Sequence, residues 1–260
     1  MNKHSLFSGP SITLGKMLFW REFRTMYRRT AFGPLWAVAA PVAFIFVFIF
    51  FRLLFGIEAT DGIPTIPFLF SGLANWMLFT TVLLGTFPAL TRNVILLKKM
   101  PINPLVFVFS GALLPLVTYL VYFVVLEGMA AFYGYLPGVR HMLLPLLALI
   151  ILLFSVGLGL LVAAIGLYKQ DIILLLPVIL QLGMFATPIF FPKSIVPEPL
   201  HWVIAINPMA HCIQMFRDIM FFAQWPDWLL LGKTTLVVAI LWALALPLFK
   251  RTTRYLADMF

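Results

Sequence analysis

Charge is the scarcest property of this sequence. Lys, Arg, Asp and Glu make up 10% of 260 residues against 63% hydrophobic ones, and the mean hydropathy is +1.05. A soluble domain of this length covers itself with roughly a quarter charged residues, so a water-facing globule is excluded and a lipid-embedded chain is implied. Disorder and collagen-like rods fall to the same composition. Cysteine is nearly absent, and Cys212 alone allows neither an internal disulfide nor a thiolate metal cluster. Acids are outnumbered by bases, nine against 18, and the net charge is +9. Such a balance could suit nucleic acid. Here the bases are scattered between long apolar runs, which fits membrane orientation and anionic headgroups, and no nucleic-acid partner is expected.

The groups that chemistry needs are also missing. His4, His141, His201 and His211 have no metal-ligand spacing, and no HExxH helix, acidic pair or GxSxG elbow occurs. Gly232-Lys233-Thr234-Thr235 imitates the end of a phosphate-binding loop, but Asp227 stands where its first glycine belongs and a hydrophobic helix follows. The chain is therefore read as no enzyme, without catalytic residues, metal ligands or a cofactor of its own. No ionisable residue falls mid-span: Glu127 lies near the outer end of a helix and Asp171 just before one. A proton relay thus has little to work with.

Long uncharged runs are abundant. They extend over Thr30–Phe51, Gly62–Thr91, Met100–Leu126, His141–Tyr168 and Ile172–Pro192, and a further one, Trp228–Phe249, is interrupted only by Lys233. Crossing about 30 Å of hydrocarbon takes roughly 20 apolar residues, so six membrane helices are expected in residues 30–260, all-α. A seventh candidate, Pro199–Phe216, contains Asn207-Pro208 and two histidines. Proline removes a backbone donor that lipid cannot replace, so this stretch is expected as an outer re-entrant segment between helices five and six. With the N-terminus inside, six spans place thirteen of the 18 bases on the cytoplasmic side, which favours N-in, C-in. Seven spans give nearly the same split, so the broken segment decides between them. Residues 1–29 lack a cleavable signal. They are expected as a cytoplasmic N-terminus ending in an amphipathic interface helix from Leu14 to Thr30, with Arg21, Arg24 and Arg28 on one stripe.

Three features suit a transport path. Phe44, Phe48, Phe51 and Phe55 share one helical face, either packing or lining a conduit on whose rings sugar faces could slide. The segment Arg92–Pro101, with Lys98 and Lys99, is a short basic loop on the inner side, an orientation signal or a docking surface for an ATPase. Thr187–Pro208 concentrates Pro188, Pro192, Pro197, Pro199 and Pro208 on the outer side, either a plain loop or an external gate. Ser155, Gly159 and Ala163 follow four-residue spacing that permits close helix approach.

The stretch Arg24-Thr25-Met26-Tyr27-Arg28-Arg29-Thr30-Ala31-Phe32-Gly33-Pro34-Leu35-Trp36, with Pro41 beyond it, resembles the entry to the first membrane helix in the permease subunits of bacterial ABC exporters of polysaccharides. Gln181 through Ile189, Asn207-Pro208-Met209-Ala210 and Phe216-Arg217-Asp218 are similar to that family's fifth helix and outer re-entrant region. His211 and Lys169-Gln170-Asp171 depart from its pattern. The resemblance implies a multi-pass inner-membrane half-transporter. It would be a homodimer joined by two copies of a separate nucleotide-binding subunit, which holds the ATP and Mg, and would export O-antigen, capsule or teichoic-acid polymers on an undecaprenyl diphosphate carrier. It further implies that Arg92, Lys98 and Lys99 belong to the coupling segment and Pro188, Pro192, Asn207 and Pro208 to the outer gate. Arg24, Arg28 and Arg29 are expected to meet the carrier diphosphate at the entrance, and the phenylalanine stripe to line the channel. Export of a drug or small lipid is the nearest alternative. An ion-coupled carrier and a membrane enzyme on lipid-linked sugars stand further off.

Overall fold

A computed structural model describes residues 9–27, 36–55, 61–93, 95–96 and 102–259. Among these the secondary structure is helical throughout, in nine α-helices with short 3-10 turns between some of them. They are α1 (Gly9–Tyr27), α2 (Trp36–Phe55), α3 (Thr65–Thr91), α4 (Leu105–Phe132), α5 (Leu144–Gly166), α6 (Asp171–Phe185), α7 (His201–Ala205), α8 (Pro208–Phe222) and α9 (Trp228–Met259).

The apolar runs become helices because lipid leaves a backbone no other way to satisfy its polar groups. Their hydroxyls follow the same rule by turning back on the helix: Thr86 donates to Val82 O at 3.0 Å, Ser155 to Ile151 O at 2.6 Å and Thr252 to Leu248 O at 3.0 Å. Five of the helices carry an internal proline, namely Pro41, Pro88, Pro115, Pro177 and Pro247.

Four of the six expected spans are long and apolar enough to cross a membrane: Thr65–Thr91, Leu105–Phe132, Val139–Gly166 and Trp228–Thr253. The other two runs form shorter apolar helices, Val38–Phe50 within α2 and Asp171–Phe185. The fifth expected run, through Pro192, is thus helical only to Phe185. Its tail, with Thr187, Pro188 and Pro192, is irregular, because two prolines in five residues remove donors and restrict the residues before them. The interface helix begins at Gly9 rather than Leu14, with Pro10 in its first turn, where its missing N–H costs nothing.

α3 is the centre of the bundle, packed against α2, α4, α5, α6 and α8. α5 lies between α3 and α9, and α1 rests on α4. The stripe Ser155, Gly159, Ala163 is buried. A Cβ on Gly159 would collide with the Thr86 side chain, so the α3–α5 approach requires glycine there.

Candidate functional site

The expected broken segment is present as a discrete structure. After α6 the chain runs through Thr187–Pro192, two 3-10 turns (Lys193–Ile195 and Glu198–Leu200) and α7, then breaks at Ile206-Asn207 before α8. Asn207 makes the break orderly. Its Oδ1 accepts from Met209 N at 3.0 Å and Ala210 N at 3.4 Å, capping α8, while Pro208 occupies the first helical turn. Its Nδ2 donates to Thr187 Oγ1 at 2.9 Å, and Thr187 donates onward to Gly183 O at 2.8 Å. One side chain therefore starts α8 and ties it to the end of α6. α8 runs past the expected limit of Phe216 to Phe222, and closes with Ala223 in the left-handed region and Gln224 N on Asp218 O.

Arg217 is the residue that sequence reasoning missed. In the sequence it stands only as part of the family-like stretch Phe216-Arg217-Asp218, yet it is 2% exposed. Its guanidinium donates to Pro188 O at 2.8 Å, Ile189 O at 3.0 Å, Phe68 O at 3.1 Å and Ser71 Oγ at 3.3 Å. It also lies 3.7 Å from the centre of the Phe68 ring. Among the described residues these hydrogen bonds go to no carboxylate. The planar fork is used as a peptide clamp: Pro188 and Ile189 leave carbonyls beyond the end of α6, and Arg217 of α8 gathers them with a carbonyl of α3. Gly72 makes the room, since a Cβ there would lie 2.9 Å from Arg217 Nη2 and 3.1 Å from Ile189 Cα. From Ser71 the polar chain continues: Asn75 Nδ2 donates to Ser71 O at 2.8 Å, and Tyr119 of α4 donates to Asn75 Oδ1 at 2.9 Å. The available signal was a base immediately after the uncharged stretch Pro199–Phe216, in a segment that cannot lie bare in lipid.

The phenylalanine stripe meets the same segment. Phe48 stacks on Phe190 with ring centroids 3.4 Å apart and planes 10° from parallel, and the Phe185 ring of α6 lies 5.8 Å from Phe190, tilted by 38°. Phe44 is exposed, whereas the side chains of Phe51 and Phe55 lie outside the described residues. Pro188 and Pro192 are buried, while Asn207 and Pro208 are half-buried. The structure thus brings one channel candidate against the gate candidates. It does not bring Phe44 there.

At the opposite end, Arg92 is exposed after α3, and Arg24 is exposed on α1. Arg28, Arg29, Lys98 and Lys99 lie outside the described residues. Arg21 Nη2 donates to Asn93 Oδ1 at 3.1 Å, and Asn93 Nδ2 to Ala89 O at 2.8 Å. The interface helix is therefore pinned to the last turn of α3, next to Arg92. Gly232-Lys233-Thr234-Thr235 lies inside α9. Thr234 faces His211 of α8, 3.4 Å from its Nδ1.

Comparison with known proteins adds the context. The protein family described as ABC-2 type transporter matches residues 13–221. The O-antigen export system permease protein RfbA of Myxococcus xanthus is 28% identical over 227 residues, 86% of each chain. A protein of the same name from Klebsiella pneumoniae is 24% identical over 202 residues, 76% of each chain. The polysialic acid transport protein KpsM of Escherichia coli is 27% identical over 207 residues, 77% of this chain and 78% of its own.

Proposed function

This chain belongs to the ABC-2 type transporter family, and from that premise we propose that it is the permease subunit of an ATP-driven exporter of a cell-surface polysaccharide. Relatives with that role match most of its length. It is a multi-pass protein of the inner membrane.

The observation that carries the mechanism is the outer segment. Residues 187–192 are held by Arg217 and Asn207 and closed over by the Phe48–Phe190 stack. In our reading this is a shut outer gate. A polymer passing outward separates Phe48 from Phe190, and the rings then offer apolar faces to sugars instead of to each other. Pro188, Pro192, Asn207 and Pro208 form the gate, Phe44 continues the path inward from Phe48, and Phe51 and Phe55 continue it outward. Arg24, Arg28 and Arg29 receive the diphosphate of an undecaprenyl-linked substrate. Arg92, Lys98 and Lys99 transmit the stroke of a separate ATPase, of which two copies serve a homodimer of this chain. The cap of Arg21 on Asn93 supports that last assignment, because motion of the loop beyond α3 must pull on the interface helix. Energy and nucleotide chemistry come from the partner.

The test is reconstitution. Proteoliposomes containing this chain and its ATPase, charged with lipid-linked glycan, should move the glycan only with ATP. Gradient-driven solute uptake by the chain alone would replace this reading with an ion-coupled carrier, and ATP-dependent export of a small lipid but not a glycan would replace the substrate.

A further inference from the structure

Where α1 rests on α4, the contact is incomplete. Small residues face each other there, with Ser11 and Gly15 on α1 and Ser110 and Ala112 on α4, and they leave a cleft of about 400 Å³ lined almost wholly by apolar atoms. Ile12, Phe19, Phe109 and Leu113 form its walls, and Leu152 of α5 contributes to its lining. A volume of this order suits a small apolar ligand or one chain of a larger one. At the edge of the cleft stands Lys16, which also borders a wider groove along α1 with Arg21, Arg24, Trp20 and Met17. Lys16 and Arg24 are exposed, and no acidic side chain lines either cavity among the described residues. Met17 and Trp20 are also exposed, at 63% and 54%, beside these cations. An apolar slot that opens onto a basic shelf with exposed apolar side chains is complementary to one kind of molecule: an amphiphile with a hydrocarbon chain and an anionic head.

We propose that the α1–α4 cleft binds one anionic phospholipid of the surrounding bilayer, an acyl chain in the slot and the phosphate on Lys16. The cations select the head by charge, and the slot fixes the molecule where loose surface lipid would exchange. The lipid completes the α1–α4 packing that the small residues leave open. The site adjoins the substrate entrance proposed above, since Arg24 borders the shared groove, and differs from it in the slot set by Gly15 and Leu113 and in Lys16 as the headgroup partner.

The experiment is native mass spectrometry on the full chain extracted from nanodiscs of defined composition. From phosphatidylglycerol, one lipid per chain should be retained through delipidating wash, and from phosphatidylcholine, none. Lys16→Ala should lower the preference for phosphatidylglycerol about fivefold, the loss expected from one cation beside a headgroup. Gly15→Phe should abolish retention from either lipid: its Cβ meets Val106 at an ordinary 3.6 Å, so the ring enters the slot without displacing backbone. Leu113→Trp, at the exposed rim, repeats that test should Gly15→Phe not fold. Wild-type retention in both slot variants overturns the proposal, as does equal retention of the two lipids. Inorganic phosphate at millimolar concentration should displace nothing. Displacement of the bound lipid by one equivalent of a polyprenyl diphosphate would overturn it in favour of a carrier site. No glycan or ATPase is present in this measurement, so its failure leaves the transport reading untouched.

Discussion

At the scale of single residues, Arg217 decides how the segment after α6 is held. A buried guanidinium is costly in an apolar bundle, and it is tolerated because three carbonyls and a hydroxyl receive it. Phe68 O keeps a second donor in Ser71 Oγ, but Pro188 O and Ile189 O depend on Arg217 in return, since each buried acceptor left without a donor costs about 1–3 kcal/mol. Arg217→Met should therefore lower the melting temperature of the purified chain clearly. Arg217→Lys should fall between, because a compact ammonium cannot span Phe68 O, Pro188 O and Ile189 O in the same plane. A Met variant that melts with wild type would show that the clamp does not hold the segment. Gly72→Ala probes the clamp from the other side. Its new Cβ would press on Arg217 and on the backbone of Ile189, and should destabilise by about 1–3 kcal/mol, the usual cost of overpacking. None of this was visible from spacing. Arg217 sits 146 residues from Ser71, and no periodicity links partners so far apart.

At the scale of elements, the sequence was legible where one helix is defined by its own composition and opaque where two helices define each other. The runs beginning at Gly62, Met100, His141 and Trp228 became α3, α4, α5 and α9, and the break at Asn207-Pro208 appeared where proline chemistry required it. The close approach implied by Ser155, Gly159 and Ala163 is realised against Thr86. By contrast, the sequence could show that Phe48 lies on an aromatic face, but not that Phe190 would stack upon it. It could show that Asn207 precedes a helix, but not that its amide reaches back to Thr187. These two functions of Asn207 can be separated. Asn207→Ala loses both the cap, worth about 1 kcal/mol, and the tie to α6. Asn207→Asp keeps the cap acceptor but cannot donate to Thr187, whose own proton is committed to Gly183 O. If the tie matters, Asn207→Asp should be nearly as unstable as Asn207→Ala. A double-mutant cycle with Thr187→Val should then give a coupling of at least about 0.5 kcal/mol. Additive effects would reduce Asn207 to a cap.

At the scale of the whole molecule, the number of crossings rests on α6. Its 15 residues extend about 22 Å at 1.5 Å per residue, short of the roughly 30 Å a helix must cross. In the six-span reading the missing length comes from 187–192, since irregular backbone survives at membrane depth only when buried in protein. Its burial is what Arg217, Asn207 and Phe48 provide. A six-span chain with both ends inside follows if this composite element counts as one crossing, and labelling can read it directly. With Cys212 replaced by Ala, cysteines placed singly at Arg140 and Lys193 should react with an impermeant maleimide added outside intact cells. Cysteines at Lys169 and Lys250 should react only after the membrane is opened. Five crossings, with α6 and its tail both returning inward, would instead place Lys193 on the same side as Lys169. Labelling of position 193 only in opened cells would therefore remove the outer gate and, with it, the proposed direction of polymer exit.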